Sequence, residues 1–154
     1  MESQQLIKNL TDLAQVDYDA SRCYDQAIAA VEAPSVHDTL IRFRNDHDRH
    51  FMELAALVRQ FGGTPPQREA DLTGLLTKGM TSIASLASAD AAIKAMEINE
   101  KLINSRYMEA VKWDAPAAIL HLLESFYADE RGHLEYFEHA LATKLWEAEL
   151  TRIV

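Results

Sequence analysis

Cysteine is almost absent from this chain of 154 residues, because Cys23 is the only one. A single cysteine cannot close an internal disulfide, which is typical of a protein in a reducing compartment. No stretch approaches the ~18 consecutive apolar residues of a membrane span, and the first residues lack a basic region followed by an apolar run. We therefore expect a cytoplasmic protein that does not enter a membrane.

Basic residues are also scarce. The chain has 15 Lys and Arg against 24 Asp and Glu, which gives a net charge of -9 and a pI near 5.0. Nucleic acids and anionic membranes attract basic surfaces, so neither is an expected partner. Metal cations are more plausible ligands. Hydrophobic residues make up 48% and charged residues 25%, which suits one globular domain spanning residues 1–154.

Sustained alternation of apolar and polar residues is missing, whereas apolar residues recur at steps of three and four, the spacing of a helix face. The sequence therefore predicts an all-α protein with helices over 3–32, 36–61, 89–113 and 117–148. The glycines and prolines concentrate between these segments. Two antiparallel hairpins, 3–61 and 89–148, would be joined by a long crossover connection, 62–88, to form a four-helix bundle. Alternatively, residues 67–88 form a fifth helix packed on the outside.

Polar residues interrupt the apolar stripes of all four predicted helices, at positions where core residues are expected. They are Asp17, His47, His50, Glu100, Glu130 and His133. At ~1.5 Å per residue, Asp17 and His50 both lie about 25 Å from the first turn, and Glu100 and Glu130 lie equally far from the second turn. Buried carboxylates without partners are costly. A bound cation would satisfy them.

The chain also contains an internal repeat at an offset of 83 residues. The matched pairs are Asp17 with Glu100, Tyr24 with Tyr107, Leu40 with Leu123, Phe43 with Phe126, Asp46 with Asp129, His47 with Glu130, and His50 with His133. A duplicated hairpin explains all of these pairs together. Each half offers an acid, a tyrosine seven residues later, and two potential ligands at i and i+3 on one helix face.

The spacing of acid and tyrosine, the run from Asp129 to His133, and the segment from His50 through Leu54 to Gly62-Gly63-Thr64-Pro65 resemble the ferritin-like superfamily, its rubrerythrin branch in particular. The resemblance implies a ferritin-like four-helix bundle that holds two iron ions. It further implies that the ligands are Asp17, His50, Glu100, Glu130 and His133. Tyr24 and Tyr107 would then donate hydrogen bonds to the opposite carboxylates and serve as the candidate catalytic residues.

The chain departs from the family at two positions, since the family usually has Glu where this sequence has Asp17 and His47. Asp17 is one methylene shorter, and His47 replaces a potentially bridging carboxylate by a nitrogen donor. With His47 included, three carboxylates and three imidazoles suit iron, zinc, copper or manganese. Asp46 could replace His47 by rotation of the helix, although its side chain should point about 100° away.

Two hypotheses for function follow. In the first, the protein is a di-iron oxidoreductase that oxidises iron or reduces O₂ or peroxide, and it forms a homodimer. In the second, it is a noncatalytic helical interaction or stress protein whose polar cluster is a structural or vestigial metal site. The position of His47 relative to Asp17, Glu100 and Glu130 is the feature that discriminates between them.

Other charged residues are predicted to lie on solvated faces. They are Arg42, Arg44, Arg49, Glu97, Glu124 and Glu138. Three further histidines, His37, His121 and His139, fall away from the level of the cluster and have no assigned role.

Overall fold

A computed structural model of the protein describes residues 1–69 and 88–153. Over these residues the chain is all-α, as the sequence predicts, and the described ranges contain no strand. The helices are α1 Ser3–Ala30, α2 Pro34–Gln60, α3 Ala89–Ala110, α4 Ala117–Thr143 and α5 Leu145–Ile153. Most of the predicted connection 62–88, and with it the question of a helix within 67–88, lies outside the described residues.

Local sequence signals explain where these helices begin and end. Pro34, expected in a turn, is instead the first residue of α2, where its missing N–H costs nothing. At the other end of α2, Gly62 adopts φ 81° and the N–H of Gly63 donates to the carbonyl of Val58 at 2.8 Å, a glycine-based C-terminal cap. Ser88 caps α3 by accepting a hydrogen bond from the N–H of Ala91.

The fourth predicted helix, 117–148, is wrong only at its C-terminal end, because α4 ends at Thr143 and a separate helix, α5, follows. Lys144 takes a left-handed conformation with φ 46°, which ends α4, and α5 begins at the next residue. This break allows Trp146 to pack into the core, where it is buried. It also lets Glu149 accept hydrogen bonds from the N–H and hydroxyl of Ser35, so α5 folds back over the N-terminus of α2, where a carboxylate is favourable.

The four long helices pack in pairs. α1 lies along α2, and α3 lies along α4, while α1 also contacts α3 and α2 approaches α4. Fully buried side chains such as Leu10, Leu40, Ile103 and Phe137 come from all four helices, so one core is shared among them. None of the described helices is long and apolar enough to cross a membrane.

Candidate metal centre

The structure brings together all six polar residues that interrupt the apolar stripes. α1 supplies one of them, α2 two, α3 one and α4 two; they are Asp17, His47, His50, Glu100, Glu130 and His133. None is more than 2% exposed. Their burial follows from the helix period, because each continues a stripe of core residues, as Asp17 does between Leu13 and Ala20. The shared level of the cluster was predicted; the roles of its members as ligands remain predictions.

The donor atoms form two overlapping groups, each with atoms that lie within 4.8 Å of one another. The first group is Asp17, His47, His50 and Glu130, and the second is His47, Glu100, Glu130 and His133. Each group offers two imidazole nitrogens and two carboxylate oxygens, and both share His47 and Glu130. Either group could hold a metal ion.

Several donor atoms at the centre of this cluster are buried without a hydrogen-bond partner among the described residues. They are Nδ1 of His50, Nδ1 of His133, Oε2 of Glu100 and both carboxylate oxygens of Glu130. His50 Nδ1 lies 3.1 Å from Glu130 Oε1 and His133 Nδ1 lies 3.5 Å from Glu130 Oε2, but neither pair has hydrogen-bond geometry. Unsatisfied polar atoms are rare in protein interiors, so these residues fit a bound cation.

The outer nitrogens of the same two imidazoles are held by aspartates. His50 Nε2 lies 3.1 Å from Oδ2 of Asp129, and His133 Nε2 lies 3.0 Å from Oδ2 of Asp46. A carboxylate that accepts from one imidazole nitrogen fixes the ring and leaves the other nitrogen free to bind metal. The two aspartates therefore orient Nδ1 of each histidine toward the centre.

The sequence did not assign these aspartates to the surroundings of the cluster. Asp46 does not take the place of His47 by rotation of the helix; it stays outside the cluster and contacts a histidine of the other half. The repeat that pairs Asp46 with Asp129 was the available signal, since each directly precedes a central residue, His47 or Glu130.

The charges around His50 and His133 favour their protonated forms. Burial favours the neutral imidazole, but the hydrogen bond with Asp129 and the nearby carboxylates of Asp17 and Glu130 raise the pKa of His50 to about 10. For His133, burial is likewise outweighed by Asp46 and Glu130, which raise its pKa to about 9. Conversely, the hydrogen bond with His50 lowers the pKa of Asp129. Each histidine–aspartate contact is therefore an ion pair near neutral pH when no metal is bound.

The tyrosines contact the carboxylates that the resemblance implied. The hydroxyl of Tyr24 donates to Oε1 of Glu100 at 2.5 Å, and the hydroxyl of Tyr107 donates to Oδ2 of Asp17 at 2.5 Å. Burial and the nearby carboxylates raise the pKa of both hydroxyls well above 10.0, so both keep their protons. Each tyrosine thus donates a hydrogen bond to one oxygen of a carboxylate and leaves the second oxygen of that carboxylate available to the cluster.

Aromatic rings cover both imidazoles. Phe126 stacks on His50 with ring centroids 4.0 Å apart, and Phe43 lies against His133 with centroids 4.1 Å apart. The two contacts are related by the repeat, and they shield the imidazoles from bulk water.

Residues 5–113 match a known family pattern. A family model described as a domain of unknown function, DUF2383, matches residues 5–113. The chain belongs to the DUF2383 family. No curated protein matches it. The matched part of this DUF2383 protein includes Asp17, His47, His50 and Glu100, whereas Glu130 and His133 lie beyond it.

In this DUF2383 protein His47 points into the cluster. Its Nδ1 lies 2.9 Å from Oδ1 of Asp17, its Nε2 lies 3.4 Å from Oε1 of Glu100, and Glu130 Oε1 is 3.6 Å from Nδ1. Burial opposes the charged form, yet these three carboxylates raise the pKa of His47 well above 6.5. The position of His47 is the feature that separates the two hypotheses, and its contacts with all three carboxylates favour a metal centre.

Two residues expected on solvated faces have other surroundings. Glu97 is only 5% exposed, because Lys94 and Lys101 bind its two carboxylate oxygens at 2.6 Å and 2.5 Å; that prediction was wrong. Arg49 is exposed, but it also contacts Asp129 at 2.7 Å and Asp46 at 3.3 Å. It therefore neutralises the aspartates that hold the histidines.

Asn104 is a further residue that the sequence analysis missed. Its side-chain amide donates to the carbonyl oxygens of Glu100 at 3.0 Å and Glu130 at 2.8 Å. It thereby joins α3 to α4 at the level of the cluster. The indication in the sequence was a polar residue on the buried stripe of α3.

Proposed function

We propose that this DUF2383 protein is a ferritin-like four-helix bundle that binds two metal ions, with iron the expected metal, and uses them to oxidise iron or to reduce O₂ or peroxide. The observation that carries the proposal is the set of buried donor atoms without hydrogen-bond partners, two imidazole nitrogens and three carboxylate oxygens. Leaving so many unsatisfied would cost several kcal/mol, whereas two cations would engage all of them.

The arrangement of the donors supports two ions instead of one. The groups around Asp17 and Glu100 are related by the sequence repeat and overlap at Glu130, whose oxygens face opposite histidines at 3.1 Å and 3.5 Å. Helical bundles with two metal ions draw their ligands from four helices in this way, with carboxylates and histidines spaced at i and i+3. The proposed ligands also come from four helices.

Iron bound at this cluster would supply one-electron redox chemistry toward O₂ or peroxide. The protein's own contribution is to hold and orient the ligands. Asp46 and Asp129 keep the Nε2 protons of His133 and His50 and direct Nδ1 inward. Tyr24 and Tyr107 hold hydroxyl protons at the carboxylates of Glu100 and Asp17, so each acid presents one oxygen. Phe43 and Phe126 exclude bulk water from the imidazoles.

A noncatalytic protein is the second candidate. The raised pKa values of His50 and His133 favour it, because two imidazolium groups could balance the buried carboxylates without any metal. In that case the cluster is a buried ion network or a structural zinc site, and the acidic surface would bind a partner. A homodimer and a cytoplasmic location remain expectations under both candidates.

Metal stoichiometry separates the two candidates. Untagged protein would be analysed for metal content, then stripped and titrated with Fe²⁺ without oxygen; we expect two equivalents per chain. Glu130→Ala should lose binding, because both groups include Glu130. Glu124→Ala, an exposed position on the same helix, is the matched control and should bind as the parent does.

Redox function needs a second measurement. The iron-loaded protein should consume peroxide faster than the Glu130→Ala variant and free iron. Uptake of two irons without peroxide consumption or iron oxidation would leave a metal-binding protein without the proposed activity. Absence of any metal uptake would favour the ion network.

A further inference from the structure

The contacts of the cluster follow the sequence repeat closely. Tyr24 binds Glu100 and Tyr107 binds Asp17, and the histidine–aspartate and histidine–phenylalanine contacts come in the same matched pairs. Only one matched pair within the cluster changes chemical type, His47 with Glu130. These are also the two residues that both groups of donors share.

His47 has the geometry of a group that spans the two halves. It is completely buried; its Nδ1 lies 2.9 Å from Asp17, the acid of the first group, and its Nε2 lies 3.4 Å from Glu100, the acid of the second. The ring therefore presents one nitrogen to each half. Glu130 does the same with its two oxygens, toward His50 and His133.

We infer that His47 is a bridging ligand that binds one metal ion through Nδ1 and the other through Nε2, beside the carboxylate of Glu130. The inference rests on the proposed two-metal site and specifies how its halves are connected. Each ion would then have two nitrogen and two oxygen donors, a mixture that suits divalent iron, copper or zinc.

Bridging sets the protonation state of the ring. A neutral imidazole has one free nitrogen and one N–H, so it can bind only one ion. For both ions to bind, each N–H bond of His47 breaks, a nitrogen–metal bond forms at that nitrogen, and the proton leaves to solvent. The overall change is proton loss and metal binding, and no electrons are transferred.

Copper is a probe that reports a shared imidazole directly. The unpaired electrons of two Cu²⁺ ions joined by one deprotonated imidazole couple and cancel at low temperature, whereas two unconnected ions give the full electron paramagnetic resonance intensity. Metal-free full-length protein would be given two equivalents of Cu²⁺, and bound copper and spin intensity would be measured on the same sample. We expect two bound ions with less than half of the intensity of two isolated ions.

The variants test whether His47 carries the coupling. In His47→Gln every copper ion that remains bound should contribute its full electron paramagnetic resonance intensity. His47→Asn provides a second variant in case the first does not fold. His121→Gln removes an exposed histidine of α4 and should keep the reduced intensity of the parent. Far-UV circular dichroism would check that each variant is folded.

The outcomes distinguish this inference from the proposed function. Full intensity from two bound coppers in the parent would overturn the bridge but leave two-metal binding intact. Reduced intensity that persists in both His47 variants would assign the coupling to Glu130 and also overturn it. A single bound copper overturns the bridge and the two-metal site, and no bound copper overturns metal binding altogether.

Discussion

The hydroxyl of Tyr107 lies 2.5 Å from Oδ2 of Asp17 although the two residues are 90 positions apart. The contact joins α3 to α1 at the level of the candidate metal centre. Both partners are completely buried, so water cannot form the hydrogen bond with one of them if the other is removed. The contact therefore bears on the stability of the fold as well as on the position of the carboxylate.

Removing this hydroxyl should destabilise the protein. In Tyr107→Phe the Asp17 oxygen loses its donor while it stays buried, and an unsatisfied buried group costs about 1–3 kcal/mol. We expect the free energy of unfolding in urea to fall by that amount for the metal-free protein. Tyr127→Phe, at a half-buried tyrosine whose ring lies against Arg131, is the control. Equal stability of the two variants would contradict the prediction.

The outer aspartates should control metal affinity. Asp129→Asn and Asp46→Asn remove the carboxylates that hold Nε2 of His50 and His133, so Nδ1 is no longer fixed toward the centre. Loss of such a partner typically lowers metal affinity roughly 10–100-fold. Because the two contacts are related by the repeat, the variants should lose similar amounts, measured by competition with a chelator. Asp38→Asn, on the exposed face of α2, should match the parent.

Stability of the metal-free protein should fall at alkaline pH. The pKa of His50 is raised to about 10 and that of His133 to about 9, against ~6.5 in an unfolded chain. Groups with raised pKa values stabilise the fold fully below ~6.5, and this contribution is lost as the pH rises through the folded-state values. The urea concentration at the midpoint of unfolding should therefore decrease as the pH is raised from 6.5 to about 10.

Metal affinity should change with pH in the opposite direction to the stability of the metal-free protein. A metal ion displaces the Nδ1 proton of each histidine, so affinity should rise as the pH is raised from 6.5 to about 10. At the acid end, Asp46 and Asp129 have lowered pKa values and their stabilisation is lost as the pH falls through them. A metal-free protein whose stability rises from pH 7 to 10 would contradict the ion pairs described for His50 and His133.

Two glycines should respond oppositely to alanine. A Cβ at Gly63 would lie 2.5 Å from Cγ2 of Ile7 and 2.9 Å from Cγ1 of Val58. Such overpacking typically costs about 1–3 kcal/mol, and we expect Gly63→Ala to destabilise the protein by an amount near the middle of that range. Gly132 lies inside α4, and a Cβ there would have nothing within 4 Å. Gly132→Ala should therefore stabilise by roughly 0.5–1 kcal/mol. Thermal unfolding of the two variants, made side by side, checks both signs.

The sequence alone determined the four long helices and the membership of the cluster. Helix positions follow from the period of the apolar residues, and the cluster residues stood out because polar side chains interrupt that period at one level in all four long helices. The repeat made this inference stronger than single residues could, since Asp17 and Glu100, or His50 and His133, mark the same depth twice.

Only the tertiary structure decided which side chains touch across the helices. Asp46 contacts a histidine of α4 and Asp129 a histidine of α2, and those distances depend on how the helices are packed. Glu97 is buried because two lysines fold over it, and α5 follows a left-handed residue, Lys144, beyond which Trp146 packs into the core. Periodicity reports which face of a helix is buried; it carries no information on the neighbour that buries it.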